Sequence, residues 1–231
     1  MIDAKKELSS EEHTLYIEVV AEKKRVIDKE RRIYEVIPKH KRYRVYIGKF
    51  FELKKGLHKL FNGLKEAGEN DYLELIINST GGLINEGQQF YNIIQEKFYG
   101  RTIAYLDNQG YSMGALLFCM ADKRVVYEYS DIMFHTYSHG SRGKGGEVKS
   151  QVEHTSKKLK KFFKNIIVKK GFLTKDEFKE MIIGKDFWMD TKEMCKRGIA
   201  THVILAGKEL SAEEYLERLK KKKKRDKGEN R

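Results

Sequence analysis

The stretch Asn108-Gln-Gly-Tyr-Ser-Met-Gly-Ala115 places one serine between two glycines, after a predicted strand and before an apolar helical run, which is a strand–turn–helix pattern. The strand is predicted over 102–106 and the apolar run covers 115–121. A serine at such a turn exposes its hydroxyl, and the N-terminus of the following helix offers backbone N–H groups to a developing oxyanion. Ser112 is therefore a candidate nucleophile.

Two other interpretations of Ser112 stay open on this stretch alone. A serine in this position also serves as a helix N-cap. The pattern G-x-S-x-G is in addition the nucleophile elbow of α/β-hydrolases. Such a hydrolase needs its acid and base in the order Ser, Asp, His; His202 is the only late histidine, and the sequence has no H-G-G-G loop.

On both sides of this stretch, from residue 43 onward, short β-rich runs alternate with amphipathic helical stretches. Helices are predicted over 84–98 and 147–169, the first with Phe90, Tyr91, Ile94 and Phe98 on one face. The predicted strands are 43–47, 72–77, 102–106, 124–127, 131–134 and 200–205. Strands that alternate with helices predict an α/β layered domain.

A second glycine turn lies upstream, where Ile76-Ile-Asn-Ser-Thr-Gly-Gly82 ends a predicted strand just before the helix 84–98. Adjacent glycines let a backbone turn direct its N–H groups at a ligand, because neither carries a Cβ. An ordinary βα turn explains the same pattern.

A histidine and an aspartate complete the candidate set. His135 closes the predicted strand 131–134, and Asp186 lies in an irregular stretch predicted between two helices. A lone histidine is usually structural or exposed, and a lone aspartate is often a turn residue, so neither indicates chemistry by itself.

Together these motifs resemble the proteolytic subunit of the Clp protease, ClpP. Asn78-Ser-Thr-Gly-Gly82 is similar to its N-S-P-G-G loop, and Gly110-Tyr-Ser-Met-Gly-Ala115 to its A-S-M-G-A nucleophile motif. Phe134-His135 matches its I-H, Lys185-Asp186 its R-D-x-F, and Gly198-Ile-Ala-Thr-His-Val-Ile204 its G-L-V-D-x-I ending. The separations of 23 residues from serine to histidine and 51 from histidine to aspartate are also close to the family's.

The resemblance implies a ClpP/crotonase-like α/β fold of layered strand–helix repeats, with helix 147–169 as a protruding handle. It implies a serine endopeptidase in which Ser112 is the nucleophile, His135 the general base and Asp186 the acid that orients the histidine. The oxyanion hole would consist of backbone N–H groups of Gly81 or Gly82 and of Met113. No cofactor and no metal is expected.

The same resemblance implies the partners. We expect a ring-forming homo-oligomer of stacked heptamers, polypeptide substrates, and a Clp-type ATPase that feeds the chamber. The chain itself has no G-x-x-x-x-G-K-[ST] motif for ATP.

The resemblance covers about 43–205 and departs from the family at three places. Thr80 replaces the loop proline, Thr136-Tyr137 replaces Q-P after the histidine, and Gly110-Tyr111 replaces two small residues before the serine. We predict three segments: a charged N-terminal extension (1–42), the peptidase domain (43–209), and a C-terminal helix with a basic tail (210–231).

Net charge is +13 with a pI of about 9.4, which raises nucleic acid as a partner. Much of the excess positive charge is local, in the run 220–225 and in the lysines of 157–170. The sequence has no aromatic RNA-binding signature that would support a nucleic-acid partner. We therefore do not expect nucleic acid as a partner. The charged start, the short apolar runs and two scattered cysteines indicate a cytoplasmic protein without a membrane segment.

Two further function classes stay open beside the peptidase. One is a crotonase-like enzyme that binds acyl-CoA, which hydrolysis of an acyl-CoA in place of a peptide would favour. The other is a catalytically idle scaffold that binds nucleic acid, which salt-dependent binding without peptidase activity would favour.

Overall fold

The computed structural model describes residues 40–48 and 57–228, with side chains up to residue 225, and the backbone of four short strands before them. Those four are β1 (Lys6–Ser10), β2 (His13–Val20), β3 (Arg25–Asp28) and β4 (Ile33–Glu35). The first two form an antiparallel hairpin, and β3 pairs with β4 in a separate small sheet. The predicted N-terminal extension therefore includes a hairpin.

Parallel strands form the centre of the main sheet. They are β5 (His40–Ile47), β6 (Tyr72–Ser79), β7 (Thr102–Tyr111), β8 (Lys123–Tyr127) and β11 (His202–Leu205), which lie side by side in that order. At one edge β2 adds antiparallel to β5, and at the other β12 (Lys208–Ser211) adds antiparallel to β11. The N-terminal hairpin thus extends the same sheet.

A side branch leaves the C-terminal end of β7. There β9 (Asp131–Phe134) pairs in parallel with β7, and β10 (Phe187–Asp190) pairs antiparallel with β9. The sequence predicted an irregular stretch around Asp186. That prediction was wrong for the residues after Asp186, which form β10. A strand of four residues is too short to show a period-2 pattern.

Helices cover the sheet and bury its apolar residues. The helices are α1 (Leu57–Lys65), α2 (Ile84–Lys97), α3 (Met113–Met120), α4 (Gly145–Phe163), α5 (Lys175–Ile182), α6 (Thr191–Lys196) and α7 (Ala212–Gly228). Every residue of α3 is buried, which explains its continuous apolar sequence. Phe90 of α2, Phe98 just after it and Tyr43 of β5 are fully buried, and the Tyr43 and Phe98 rings meet edge to face at 5.5 Å. The predicted α/β layered fold is confirmed.

The long helix α4 was predicted over 147–169, but its α-helical part ends at Phe163. It turns into a π-helical segment, Lys164–Val168, whose Ile166 and Ile167 are buried in the core. The first two turns of α4 carry mostly exposed side chains, and Val152 is 44% exposed. The helix therefore protrudes as the predicted handle does.

Side-chain hydrogen bonds cap the N-termini of α5, α6 and α7 at Thr174, Asp190 and Ser211. The hydroxyls of Thr174 and Ser211 and the carboxylate of Asp190 each accept the N–H three residues on. No helix in the described part of the chain is long and apolar enough to cross a membrane.

Candidate active site

Ser112 lies at the sharp turn between β7 and α3 in a backbone conformation that side chains rarely adopt. Its φ is 56° and its ψ is −120°. Its N–H donates to the carbonyl of Met133 at 3.0 Å, and its carbonyl accepts from the N–H of Leu116 at 3.2 Å. The side chain makes no N-cap hydrogen bond to α3, so the N-cap interpretation of this serine is wrong. A strained, uncapped serine at a strand-to-helix turn is typical of a nucleophile.

The glycine turn after β6 packs directly on this serine. A Cβ added to Gly81, whose φ is +107°, would lie 2.6 Å from the Ser112 Cβ and 2.9 Å from the carbonyl oxygen of Tyr111. A Cβ on Gly114 would meet the Ser79 Cβ at 3.0 Å. Glycine at both positions lets the loop approach the N-terminus of α3, which brings the two predicted motifs into one site.

The three candidate oxyanion donors differ in their surroundings. The N–H of Gly81 donates to the buried hydroxyl of Ser79 at 3.1 Å. Gly82 is exposed and lines the same cleft as Ser112, and Met113 begins α3 beside them. Because the Gly81 N–H already has an acceptor, Gly82 and Met113 are the candidate donors that remain. Ser79 went unnoticed in the sequence, although a polar residue at the end of a buried strand signals such a contact.

His135 and Ser112 line the same two cavities. One is a narrow pocket of about 20 Å³ and the other a wider cleft of about 580 Å³. Both are also lined by Ile84 and Tyr137. The cleft continues between α2 and α4, where Glu86 and Lys158 line it from its two walls. The structure therefore brings the predicted nucleophile and the predicted base to one cavity.

Asp186 and His135 flank the paired ends of two neighbouring strands. In the β9–β10 ladder the terminal pair is Phe187 with Phe134, so Asp186 and His135 each lie one residue beyond that pair. In the β7–β9 ladder Tyr111 pairs with Met133, which sets Ser112 beside the end of β9. Asp186 is exposed and lines neither cavity. Each of the three predicted residues thus lies directly beside the end of one of three adjacent strands, β7, β9 and β10.

Three further residues form a polar and aromatic group beside the nucleophile. The Tyr111 hydroxyl donates to Asp131 Oδ2 at 2.8 Å, and its ring meets the Trp188 ring edge to face at 5.0 Å. Burial, followed by the hydrogen bond to Asp131, raises the pKa of Tyr111 to about 12. The sequence marked Tyr111 only as a departure from the family, and it offered no signal for Asp131 or Trp188.

Thiol chemistry is not supported by the two cysteines. Burial raises the pKa of both Cys119 and Cys195 to about 12, so the thiols stay protonated at neutral pH. Within residues 40–48 and 57–228, no group of three or more His, Cys, Asp or Glu side chains is arranged to hold a metal ion. Ser112, in its positive-φ turn beside this cleft, is therefore the candidate nucleophile.

Comparison with known proteins agrees with the geometry. The model of the Clp protease family matches residues 53–206, which is more than half of the chain and includes Ser112, His135 and Asp186. A search of curated proteins found no match. The chain therefore belongs to the Clp protease family, a family of peptidases.

Proposed function

We propose that this protein is a serine endopeptidase that hydrolyses peptide bonds with Ser112, His135 and Asp186 as a catalytic triad. The observation that carries the proposal is that Ser112, in a strained turn at the N-terminus of α3, lines the same cleft as His135. Family membership supports the reaction class.

The proposed reaction begins with proton transfer. His135 accepts the Ser112 hydroxyl proton as the oxygen attacks the peptide carbonyl, and the resulting imidazolium then protonates the leaving amine. Asp186 holds the imidazole in the required tautomer and stabilises its charged form. Water, activated by the same imidazole, hydrolyses the acyl-enzyme and releases Ser112.

The tetrahedral intermediate carries a negative charge that needs donors. We assign these to the backbone N–H groups of Gly82 and Met113, since the Gly81 N–H is engaged by Ser79. Each such donor is typically worth about 3 kcal/mol in the transition state. The partial positive charge at the N-terminus of α3 adds to them.

The proposal extends to assembly. The protruding first turns of α4, with Val152 44% exposed, and the 53% exposed Leu83 beside the cleft offer apolar surface that a second copy would cover. We propose that copies of the chain form a ring-shaped chamber of stacked heptamers around the active sites, and that a Clp-type ATPase delivers unfolded polypeptides to it.

Labelling with a fluorophosphonate and a fluorogenic peptidase assay test the chemistry. Wild-type protein should be labelled on Ser112 and should cleave peptides, whereas Ser112→Ala should do neither while keeping its thermal midpoint. Ser138→Ala is the matched control, because Ser138 lines the same cleft. Equal labelling of Ser112→Ala would refute the proposal.

Two further outcomes separate the alternatives. Hydrolysis of acyl-CoA without peptidase activity would instead favour the crotonase-like enzyme, and salt-dependent nucleic-acid binding without hydrolysis would favour the scaffold. Native mass spectrometry of the same sample tests the ring, and a monomer at micromolar concentration would exclude the chamber.

A further inference from the structure

The side chain of Tyr111 connects the nucleophile turn to both strands that adjoin the other triad residues. Tyr111 immediately precedes Ser112 at the end of β7. Its hydroxyl donates at 2.8 Å to Asp131, the first residue of β9, and its ring contacts Trp188 of β10. A single side chain therefore links three strands, each of which adjoins one proposed triad residue.

The registers of the two ladders explain why these groups meet. Tyr111 pairs with Met133 in the parallel ladder, and Met133 pairs with Trp188 in the antiparallel ladder. Directly paired residues project to the same face of a sheet, and so does Asp131, two residues before Met133. The opposite face carries the buried Ile132 and Phe134. The contacts of Tyr111 thus stabilise the outer face of β7, β9 and β10, and packing in the core stabilises their inner face.

The conformation of Ser112 needs such support. A non-glycine residue with a positive φ persists only where surrounding contacts over-determine it. The hydrogen bond from the Ser112 N–H to the Met133 carbonyl is one such contact. The anchored side chain of the preceding residue is the second, because it limits how the end of β7 can rotate.

We propose that Tyr111 is a positioning residue, which holds Ser112, His135 and Asp186 in their reactive register through its hydrogen bond to Asp131 and its contact with Trp188. The inference rests on the proposed function. The motif that this chain resembles has a small residue at this position, so the anchor belongs to this chain. At neutral pH the phenol stays protonated and donates, since its pKa is about 12.

Tyr111→Phe removes the hydroxyl and keeps the ring. We expect kcat and the rate of fluorophosphonate labelling to fall about tenfold at unchanged KM, the scale of a lost hydrogen bond to a charged group. Asp131→Ala should cause a similar loss, and the double variant no larger one, because both remove the same interaction. Tyr105→Phe, in the same strand, is the matched control and should match the wild type.

The contact with Trp188 has a readout that does not depend on activity. Trp188 is the single tryptophan of the chain and is 57% exposed, so its fluorescence reports this site alone. Tyr111→Ala should increase acrylamide quenching of Trp188, whereas Tyr111→Phe should leave the quenching at the wild-type value.

The outcomes separate this inference from the proposed function. If Tyr111→Phe is labelled as fast as the wild type per folded molecule, Tyr111 is at most a stabilising residue and the inference is wrong, whatever happens to the thermal midpoint. If the wild type is not labelled on Ser112 at all, the proposed function fails and the inference fails with it.

Discussion

Phe134 pairs directly with Phe187 across the antiparallel ladder of β9 and β10. His135 and Asp186 each lie one residue beyond that pair. Opposed residues of an antiparallel pair typically have Cβ atoms about 4.5–5.5 Å apart, and at such a separation the proposed Asp186 carboxylate would accept a hydrogen bond from the His135 imidazole. Because Asp186 is exposed, its substitution tests catalysis without removing a buried group.

The first prediction concerns Asp186→Asn. The amide cannot stabilise the imidazolium and favours the wrong tautomer, so we expect kcat to fall by about 10³–10⁴-fold with an unchanged thermal midpoint. Asp190→Asn is the control: Asp190 ends β10, the strand that follows Asp186, and asparagine retains the N-cap of α6. Full peptidase activity in Asp186→Asn would remove this residue from the triad.

The second prediction concerns Gly81→Ala. The new Cβ would overlap the Ser112 Cβ and the Tyr111 carbonyl, and alanine disfavours the φ of +107°. We expect a loss of about 2 kcal/mol in the free energy of unfolding and a loss of labelling at Ser112. Gly140→Ala should change neither quantity, because a Cβ there meets nothing within 4 Å. An active, fully stable Gly81→Ala would show that the loop is further from Ser112 than described.

Much of the fold could be predicted from the sequence because its signals are local. The strand 131–134 was predicted with its exact bounds, since buried β-rich runs bounded by turns are distinctive. Strand β7, in contrast, continues to Tyr111, five residues beyond the prediction. Asp107, Asn108 and Gln109 are polar and end the apolar pattern, yet Gln109 pairs with Asp131 of β9 and Gly110 pairs with Ser79 of β6. Strand β7 is extended by its pairing with β9, and no local sequence pattern predicts this pairing.

In the candidate site, too, the features that depend on local sequence could be predicted, and those that depend on distant contacts could not. Ser112 and the glycine turn belong to short motifs, and the two cavities shared with His135 agree with them. The engagement of the Gly81 N–H by Ser79 depends on how the loop folds back, so the sequence left Gly81 and Gly82 equivalent. The Tyr111–Asp131–Trp188 group depends on two ladder registers at once, and three isolated residues give no pattern that would predict it.

The third prediction concerns acid stability through Glu177 and Arg197. The hydrogen bonds from Arg197 lower the pKa of Glu177 to about 2. A carboxylate with a lowered pKa in the folded state adds stability above its unfolded value of about 4.3, and this stability is lost as pH falls toward 2.

We expect the wild type to exceed Glu177→Gln by up to about 1 kcal/mol in unfolding free energy at pH 6, with a smaller difference at pH 3. The single carbonyl oxygen of glutamine still accepts the Thr174 N–H of the capping box, so the substitution removes the charge and one of the two oxygens to which Arg197 donates. Urea unfolding at both pH values measures it, and a difference that is independent of pH would contradict the assignment.

The fourth prediction concerns Arg124, which joins β8 to the turn before β11. Its guanidinium donates to the carbonyls of Ile199 at 2.6 Å, Ala121 at 2.7 Å and Gly198 at 3.1 Å, and it lies 5.3 Å from the Phe172 ring centroid. Arg124→Ala leaves these carbonyls without their donor, so we expect a loss of about 2–4 kcal/mol in unfolding free energy.

Arg124→Lys should recover only part of that loss, because an ammonium lacks the planar fork that reaches several carbonyls at once. The adjacent Lys123→Ala is the control: it removes an ion pair to Glu209 whose two side chains are 35% and 38% exposed, and it should cost less than about 1 kcal/mol. Arg124 lines neither cavity of the candidate site, so folded Arg124→Ala should keep the wild-type rate of labelling at Ser112. Equal midpoints for Arg124→Ala and Lys123→Ala in thermal unfolding would show that these carbonyls are satisfied by solvent, and that the β8–β11 junction is held by its backbone ladder alone.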